Sequence, residues 1–268
     1  MRLGLSTLFR GGEKGFFIPY RYGSAVAPID YPALYHHFVA AEPSFEKVLR
    51  DAATYAADLH RFAGPPPKPR WDQDWFPRLD AAALYTLIRS GRPSTVIEIG
   101  SGHSTRFAAA AIADGGLDCT LACIDPSPRA TLEQLPIRWH RRMLSTGDAD
   151  LVASLRTGDV LFIDSSHIAM PGTDVDIILN CLLPLLHEGV LVHFHDILLP
   201  DRYPEAWAWR GYNEQEAIGP CVWSGAFELV FSSHFVVAHR PDLLAGHPVA
   251  QLPLVPGAIE SSLWLRRR

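Results

Sequence analysis

The chain contains 268 residues, of which 48% are apolar and 20% charged, and its formal net charge at pH 7 is −5. This apolar content supports a substantial hydrophobic core and excludes disorder of the whole chain, which requires low hydrophobicity and high net charge. A mildly acidic chain without a run of Lys and Arg is also not a non-specific nucleic-acid binder, since phosphates require clustered positive charge.

The sequence also predicts where the protein resides. No stretch reaches the ~20 apolar residues of a transmembrane helix, and no sustained apolar stretch typical of a secretory signal precedes Arg10. The four cysteines lack both a metal-type pair and the density of a disulfide framework, so we expect buried thiols in a reducing cytoplasm. They are Cys119, Cys123, Cys181 and Cys221.

Residues 1–75 are predicted to form an N-terminal arm with a helical extension. The first 40 residues are rich in aromatic side chains without a clear period, which indicates a packed arm that acts as a partial lid or as a subunit contact in a homo-oligomer. Apolar residues at helical spacing predict a helix over 44–62, with Ser44 as its N-cap. The proline-rich stretch 64–69 should then form an extended connection. The aromatic residues of the arm are Phe16, Phe17, Tyr20, Tyr22, Tyr31 and Tyr35.

Residues 76–268 alternate between predicted strands and helices, which indicates an α/β fold with a doubly wound, mostly parallel sheet. The last strand is expected to be antiparallel. Helices are predicted over 80–90, 105–113 and 175–186. Strands are predicted over 95–99, 119–124, 137–143, 159–163, 189–194, 227–231 and 262–265.

Three of the predicted strands end in an acidic residue, which is the strongest functional signal in the chain. These residues are Asp125, Asp164 and Asp196. Ligands of such sheets bind beyond the carboxyl ends of the strands, near the point where the strand order reverses. We therefore expect the three carboxylates to share one rim, although each could instead be a helix cap or a surface residue.

A glycine-containing segment, Glu98–Thr105, follows the first strand and opens a helix. Its glycines permit a tight turn and close approach of a ligand to the backbone. Asp125 lies 23 residues after Gly102, which fits an acid that binds ribose hydroxyls. A dinucleotide fingerprint would place glycine where Thr105 stands, and Glu98 suits a cationic ligand better than a diphosphate. The alternative interpretation is an ordinary strand-to-helix turn.

These motifs, together with the segments 162–167 and 192–197, resemble class I S-adenosylmethionine (SAM) dependent methyltransferases over about residues 80–268. The resembling branch contains metal-dependent O-methyltransferases that act on sugars of macrolides and related small molecules. The resemblance implies a seven-stranded Rossmann-like sheet and SAM as cofactor. It places the amino-acid end of SAM near Glu98, the ribose on Asp125 and the adenine beside Asp148, for which helix capping is the alternative. The implied cofactor-binding residues are Glu98, Gly100, Ser101, Gly102, Ser104, Asp125 and Asp148.

Methyl transfer to oxygen requires the acceptor hydroxyl to lose its proton. The pKa of histidine lies about 9 units below that of an alcohol, so histidine alone is a poor activator, whereas a divalent cation lowers the pKa of a bound oxygen. The resemblance implies that Asp164, His195 and Asp196 bind a divalent metal such as Mg or Mn and that His167 is the general base. An imidazole at position 195, where the family often has a carboxylate, suits Mn, Fe, Ni or Zn better than Mg.

Several of these residues have local alternatives. His167 could form a cap or loop hydrogen bond, His195 could be a hydrogen-bond partner of the site, and the metal could be absent. Alternation along the strand is expected to point His193 away from His195. Asn213 and Glu216 are predicted to form a capping box. The aromatic segment 198–223 either packs on the acceptor or forms a satellite core.

The sequence therefore predicts a SAM-dependent O-methyltransferase that acts on a hydroxyl of a small-molecule or glycan-like acceptor. Asp164 and His167 are the predicted catalytic residues. Two alternatives remain open, namely an NAD-dependent oxidoreductase on a similar sheet and a non-catalytic nucleotide-binding protein.

Overall fold

A seven-stranded sheet lies at the centre of the described part of the protein, in a computed structural model that describes residues 16, 18 and 20–268. The strands are β1 (Thr95–Ile99), β2 (Thr120–Ile124), β3 (Arg138–His140), β4 (Val160–Ile163), β5 (Leu191–Phe194), β6 (Phe227–Ser232) and β7 (Leu263–Arg267). Their spatial order is β3-β2-β1-β4-β5-β7-β6, and β7 runs antiparallel to both neighbours while the other pairs are parallel. The predicted doubly wound, mostly parallel sheet with an antiparallel last strand is confirmed.

The central strands are buried because their sequences are almost entirely apolar. Every residue of β4 and β5 is buried, and in β1 and β2 every residue but the half-buried first one is buried. Parallel strands covered on both faces carry such continuous apolar runs. From β1 the chain continues to β2 on one side of the sheet's centre, whereas from β4 it continues to β5 on the other side. Since crossovers are right-handed, this reversal puts helices on both faces of the sheet.

The connecting helices follow the predicted positions closely, with one exception. The predicted helix over 175–186 is instead an α-helical turn, a π-helical turn (Ile178–Leu182) and a 3₁₀ turn (Leu183–Leu185). Pro184 cannot donate a backbone hydrogen bond and its ring crowds the preceding turn, so a regular α-helix cannot continue through it. The α-helices are α1 (Pro32–Ala40), α2 (Glu42–Thr54), α3 (Ala56–His60), α4 (Arg78–Gly91), α5 (His103–Asp114), α6 (Ala149–Ala153), α7 (Asp174–Ile177), α8 (Glu214–Trp223) and α9 (Ser233–His239).

The N-terminal helices pack directly on the β6 side of the sheet. Phe45 of α2 contacts Phe231 of β6, with ring centroids 5.9 Å apart. The prediction of Ser44 as N-cap is wrong, because α2 begins at Glu42. Pro43 in the first turn is pre-organised for a helix start, and the Ser44 hydroxyl donates instead to the carbonyl of Val230 (2.9 Å). The helical extension thus shares the hydrophobic core of the sheet.

The proline-rich stretch forms a turn and not the predicted extended connection, because Lys68 N donates to the carbonyl of Pro65 (3.0 Å). In the arm, Phe16, Tyr20 and Tyr22 are exposed, while Tyr31 N donates to Pro200 O (2.8 Å). The part of the arm prediction that concerns residues 1–15, Phe17 and Pro19 lies outside the described residues.

All four cysteines are free, so the chain has no disulfide framework. The expectation that they are buried is met by Cys123 and is wrong for Cys181, which is exposed. Within the described residues, no helix is both long and apolar enough to cross a membrane.

Candidate active site

A cleft of about 690 Å³ opens beyond the carboxyl ends of the central strands. It lies where β1 and β4 run side by side, which is the point of reversed strand order at which such sheets bind ligands. Its volume falls within the range of small-molecule sites. The cleft is lined by the following predicted site residues: Gly100, Ser101, Gly102, Ser104, Asp125, Asp164, His167, His195 and Asp196. Of the predicted set, Glu98 and Asp148 do not line it.

Gly100, directly after β1, lies against the backbone of Asp164 at the end of β4. Its φ of +79° lies in the left-handed region, and a Cβ at this position would lie 2.0 Å from the carbonyl oxygen of Asp164. Only glycine is compatible with both conditions. The close approach brings the cofactor motif on β1 against the first catalytic candidate on β4.

Glu98 lies beneath the cleft and is 1% exposed. The hydroxyl of Ser104 donates to its Oε1 (2.5 Å) and the thiol of Cys123 to its Oε2 (3.3 Å). Burial raises the pKa of Glu98 to about 7, although the hydrogen bonds from Ser104, Thr105 and Cys123 oppose this shift. Glu98 therefore acts on the cleft through Ser104, which does line it.

Asp125 joins the end of β2 to the turn after β1. Its Oδ2 accepts hydrogen bonds from the backbone N (2.8 Å) and hydroxyl (3.1 Å) of Ser101, and its Oδ1 accepts from Ser127 N (2.6 Å). The carboxylate is partly exposed and faces the cleft. Asp125 and the glycine turn thus form one hydrogen-bonded rim.

Asp148 is engaged within its own loop. Its carboxylate forms an ion pair with Arg142 and accepts a hydrogen bond from Ser145 N (2.9 Å). The side chain is buried, and the hydrogen bond with Arg142 lowers its pKa against the opposing effect of burial. Both oxygens are occupied, so the structure supports the capping alternative, while Met143 and Leu144 of the same loop reach the cleft.

The opposite end of the cleft brings two carboxylates and two imidazoles together. His195 Nδ1 lies 3.6 Å from Asp164 Oδ1 and 3.6 Å from Asp196 Oδ1. His167 Nε2 lies 3.3 Å from Asp164 Oδ1 and 3.6 Å from Asp196 Oδ2. Because β4 and β5 are adjacent and parallel, the residues that follow them reach a common point.

Two further carboxylates, which sequence reasoning missed, lie behind the imidazoles. Glu214 Oε2 is 2.8 Å from His167 Nδ1, and Asp80 Oδ2 is 3.4 Å from His195 Nε2. Both carboxylates are fully buried. They belong to α8 and α4, far from β4 and β5 in sequence. An acidic residue in an otherwise apolar helical turn, such as Asp80 beside Leu79, was the available signal.

The charges of this cluster set the protonation of its members. Burial acts to lower the pKa of His167, but hydrogen bonds with Asp164 and Glu214 and the charge of Asp196 outweigh it and raise the pKa well above the usual range. For His195, burial is likewise outweighed by Asp196 and Asp164, and its pKa is also raised. Partial burial of Asp164 is outweighed by His195 and His167, so its pKa is well below the usual range.

Two residues of the cluster have left-handed backbone conformations. His167 has a φ of +60° and Asp196 a φ of +54°. Such conformations cost of order 1–3 kcal/mol each in non-glycine residues and cluster at functional sites. Among the described residues, Arg92 is the other non-glycine residue with positive φ. The strain is thus concentrated at the carboxyl ends of β4 and β5.

Two local predictions near the site are wrong. His193 does not point away from His195, because residues two apart share one face of a strand, and their ring centroids are 6.0 Å apart. His193 is fully buried, stacks on Phe162 and lies 2.8 Å from the hydroxyl of Ser262, so its contacts are those of a structural residue.

The predicted capping box of Asn213 and Glu216 is also not formed. No side-chain hydrogen bond of Asn213 caps α8. Its Oδ1 accepts instead from Ala169 N (2.7 Å), while Glu216 accepts from the hydroxyl of Tyr31 (3.4 Å). Asn213 thereby fixes the loop that follows His167.

An aromatic wall with one cation closes the cleft beside Asp196. The guanidinium of Arg210 lies 4.2 Å from the ring centroid of Trp207 and 5.3 Å from that of Tyr212. Its Nη1 is 3.5 Å from Asp196 Oδ2. Tyr212 packs on His167 with ring centroids 4.5 Å apart, and Trp209 is 82% exposed. The wall offers flat apolar surface next to the acidic cluster.

Comparison with known proteins finds a similar family over part of the chain. Residues 97–197 match the family model described as a methyltransferase domain. No curated protein matches the chain. An O-methyltransferase from Bacillus cereus, solved with S-adenosylhomocysteine (SAH), is 13% identical with a TM-score of 0.44 and covers 84% of this chain and 91% of its own. The O-methyltransferase TomG from Streptomyces achromogenes, solved with SAM, is 16% identical with a TM-score of 0.42, covering 81% and 88%.

A third similar structure is the SAH-bound methyltransferase PaMTH1 from Podospora anserina, which is 16% identical with a TM-score of 0.37 and covers 95% of this chain and 99% of its own. The family match gives no support to the oxidoreductase and non-catalytic alternatives. The match covers the turn after β1 and all three acidic strand ends. The sheet has the seven strands and the antiparallel last strand that were expected. Over residues 97–197, the chain is thus similar to a methyltransferase domain.

Proposed function

We propose that the protein is an O-methyltransferase that transfers the methyl group of SAM to a hydroxyl of a small-molecule or carbohydrate-like acceptor, with the assistance of a divalent metal. One observation carries this proposal. Two carboxylates and two imidazoles converge within 3.3–3.6 Å at the carboxyl ends of β4 and β5, in the same cleft as the glycine turn. The four free cysteines agree with the cytoplasmic location that we also propose.

The charge balance of the cluster fits a divalent cation. Four carboxylates surround two imidazoles, so a net negative charge remains even when both imidazoles are protonated and Arg210 is counted. Buried charge without compensation is strongly unfavourable. A divalent cation at this position would supply the missing positive charge.

The donor set also fits such a cation. Asp164, His195 and Asp196 would hold it through carboxylate oxygens and His195 Nδ1. Asp80 Oδ2 lies 3.4 Å from the buried Nε2 of His195. With a metal on Nδ1, this contact would tighten into the hydrogen bond by which a carboxylate orients a metal-binding imidazole. A mixed nitrogen and oxygen set favours Mn²⁺, Fe²⁺ or Zn²⁺ over Mg²⁺. A bound cation would lower the pKa of the acceptor hydroxyl and orient it.

At the cofactor end, the chain's own residues hold and orient SAM. Asp125 is placed to accept hydrogen bonds from the ribose hydroxyls, and its orientation is fixed by Ser101. Ser104 lines the cleft and would contact the amino-acid end of SAM, and its hydroxyl donates to the carboxyl group of Glu98 beneath it. Gly102 leaves the backbone open on the cleft side.

His167 is the proposed general base. Glu214 accepts a hydrogen bond from Nδ1, which directs Nε2 into the cleft. As the C–S bond of SAM breaks and the new O–C bond forms, the hydroxyl proton passes to Nε2 and SAH is left. The raised pKa of His167 narrows its gap to the pKa of the hydroxyl. Only the neutral imidazole can accept the proton. A divalent cation bound by Asp164 and Asp196 would offset their negative charges, which favours the neutral form of His167.

The aromatic wall supports the proposed acceptor class. Trp207 and Tyr212 offer flat faces that pack on sugars or aromatic rings, and Arg210 presents a cation between them. Loops at strand ends commonly set specificity. An acceptor that carries a hydroxyl on a ring fits this surface.

Two measurements test the proposal. Calorimetry should show binding of SAH to the purified chain, and addition of Mn²⁺ should bring about SAH production from SAM with phenolic or glycosidic hydroxyl acceptors. Matched acceptors with an amine in place of the hydroxyl are the control. Absence of SAH binding by the folded protein would refute the cofactor assignment, and methyl transfer to the amines alone would refute the assignment to oxygen.

A further inference from the structure

A second cluster of ligating side chains lies outside the cleft. Asp201 Oδ2 is 2.7 Å from His234 Nε2 and 2.8 Å from His239 Nε2. One ligand atom from each of the three residues lies within 4.8 Å of the others. Asp201 belongs to the loop that follows β5, whereas both histidines belong to α9. None of the three lines the cleft.

The orientation of the three side chains is fixed by their surroundings. The ring of His239 packs against Phe235 and Tyr35, with centroid distances of 5.1 and 5.4 Å. The backbone of Asp201 is held by Leu198 O, which accepts from its N, and by Gln215, whose amide donates to its carbonyl. The carboxylate is therefore presented to both imidazoles by packed neighbours on either side.

The Asp201 carboxylate has few charged neighbours. Within the described part of the chain, Asp201 forms ion pairs with His234 and His239 and with no Lys or Arg. A single carboxylate oxygen accepts hydrogen bonds from two imidazole nitrogens. Each Nε2 offers a lone pair to a metal once its proton has been released or has moved to Nδ1. Two imidazoles and one carboxylate are a donor set typical of zinc.

The partial exposure of the cluster completes the argument. The side chains of His234, His239 and Asp201 are 15%, 25% and 33% exposed, so water can reach the cluster and supply a fourth ligand. Zn²⁺ binds nitrogen and oxygen at about 2.0–2.2 Å, and modest separation of the three atoms from their present contacts admits an ion of that size.

We propose that Asp201, His234 and His239 form a second metal site, of zinc type, that ties the loop after β5 to α9. This inference goes beyond the proposed methyl transfer and does not depend on it. The site joins Asp201 to His234 and His239, which lie 33 and 38 residues further along the chain. Because α9 also contacts α1 through Phe38 and Phe235, a metal bound here would stabilise the β6 side of the sheet.

The test uses the full chain carrying Asp164→Asn, so that binding in the cleft is suppressed. After treatment with a chelator, calorimetry with ZnCl₂ should show one binding event. Zn²⁺ should raise the melting temperature, and Co²⁺ in its place should give a visible absorption band of a nitrogen-coordinated ion. In the same background, His239→Gln and Asp201→Asn should weaken zinc binding at least about 100-fold, more than loss of an outer hydrogen bond to a ligand, and should abolish the band.

The control is His60→Gln in the same background, because His60 is exposed and distant in sequence from the cluster. It should bind zinc as the background protein does. Asp201→Asn retains an oxygen that can accept the histidine hydrogen bonds, and circular dichroism will verify that each variant is folded. His234→Gln replaces any variant that does not fold. Unchanged zinc affinity in the folded variants, or no zinc binding by the background protein, would overturn the proposal.

Discussion

The two ends of the cleft are built in different ways. The end at which we propose that SAM binds, called the cofactor end, consists of one turn and a neighbouring residue. Residues 99–104 and Asp125 are joined there by hydrogen bonds of the Ser101 backbone and hydroxyl. The acidic end collects side chains from the loops after β4 and β5 and from α4 and α8, which are segments far apart in sequence. The difference teaches that a cofactor rim can be encoded locally, whereas a cluster of charges for chemistry depends on packing.

The two ends also differ in how they handle left-handed backbone. At the cofactor end the left-handed position is Gly100, which adopts it without a steric penalty. At the acidic end His167 and Asp196 adopt it as non-glycine residues. The acidic end thus retains strain of a few kcal/mol, which the surrounding packing must hold. Substitutions at the two ends should therefore have distinct signatures.

The largest effect is expected at the acidic end. Asp164→Asn removes a carboxylate that faces both imidazoles, and kcat/KM for methyl transfer should fall at least about 10³-fold, or about 4 kcal/mol. SAH affinity, measured by calorimetry, should change little. Asp150→Asn, at an exposed position of α6, is the control. Retention of full activity by Asp164→Asn would remove the acidic end from the mechanism.

At the cofactor end, Gly100→Ala should act on the fold. A Cβ 2.0 Å from Asp164 O, at a positive φ, should lower the free energy of unfolding by about 3 kcal/mol or more, as overpacking and backbone strain combine. Gly172 also has positive φ, but its Cβ would meet no described atom within 4 Å. Gly172→Ala should therefore cost about 1 kcal/mol. The free energy of unfolding is measured by urea denaturation. If it falls equally in Gly100→Ala and Gly172→Ala, the close approach at Gly100 does not contribute to the effect.

Glu98 should make stability depend on pH beneath the cofactor end. Its pKa is raised to about 7 in the folded state from a usual value of 4.5. The group therefore contributes full stability below pH 4.5, and this contribution is lost as pH rises through 7, by about 3 kcal/mol in total. Urea denaturation of Glu98→Gln from pH 4.5 to 8 should lack that loss. Glu188→Gln, which is exposed, should behave as the wild type; an identical pH profile for Glu98→Gln would contradict the assigned pKa.

The smallest effect is expected at Glu214, which acts through His167. Glu214→Gln should lower kcat about 10–100-fold, as is usual for residues that orient a catalytic group. Because the contact with Glu214 raises the pKa of His167, the pH profile of kcat should also move to lower pH. The exposed Glu216 of the same helix provides the control, Glu216→Gln. A fall in kcat without movement of the profile would indicate a structural role alone.

Much of the cofactor end was predictable because its signals are local. The strand over 95–99, the turn with Gly100 and the acid at 125 all follow from short patterns. The errors arose where a local pattern competed with tertiary contacts. Ser44 resembles an N-cap but bonds to β6, and Asn213 resembles the start of a capping box but bonds to Ala169.

The sequence by itself determined the order of strands and helices and the acidic residue that follows each of β2, β4 and β5. Apolar runs bounded by turn residues specify strands wherever they occur in the chain. Tertiary structure alone decided that Asp80 and Glu214 stand behind His195 and His167. It also decided that Asp201 meets two histidines of α9. Contacts between distant segments depend on how helices pack on the sheet, and no short pattern in the chain records that packing.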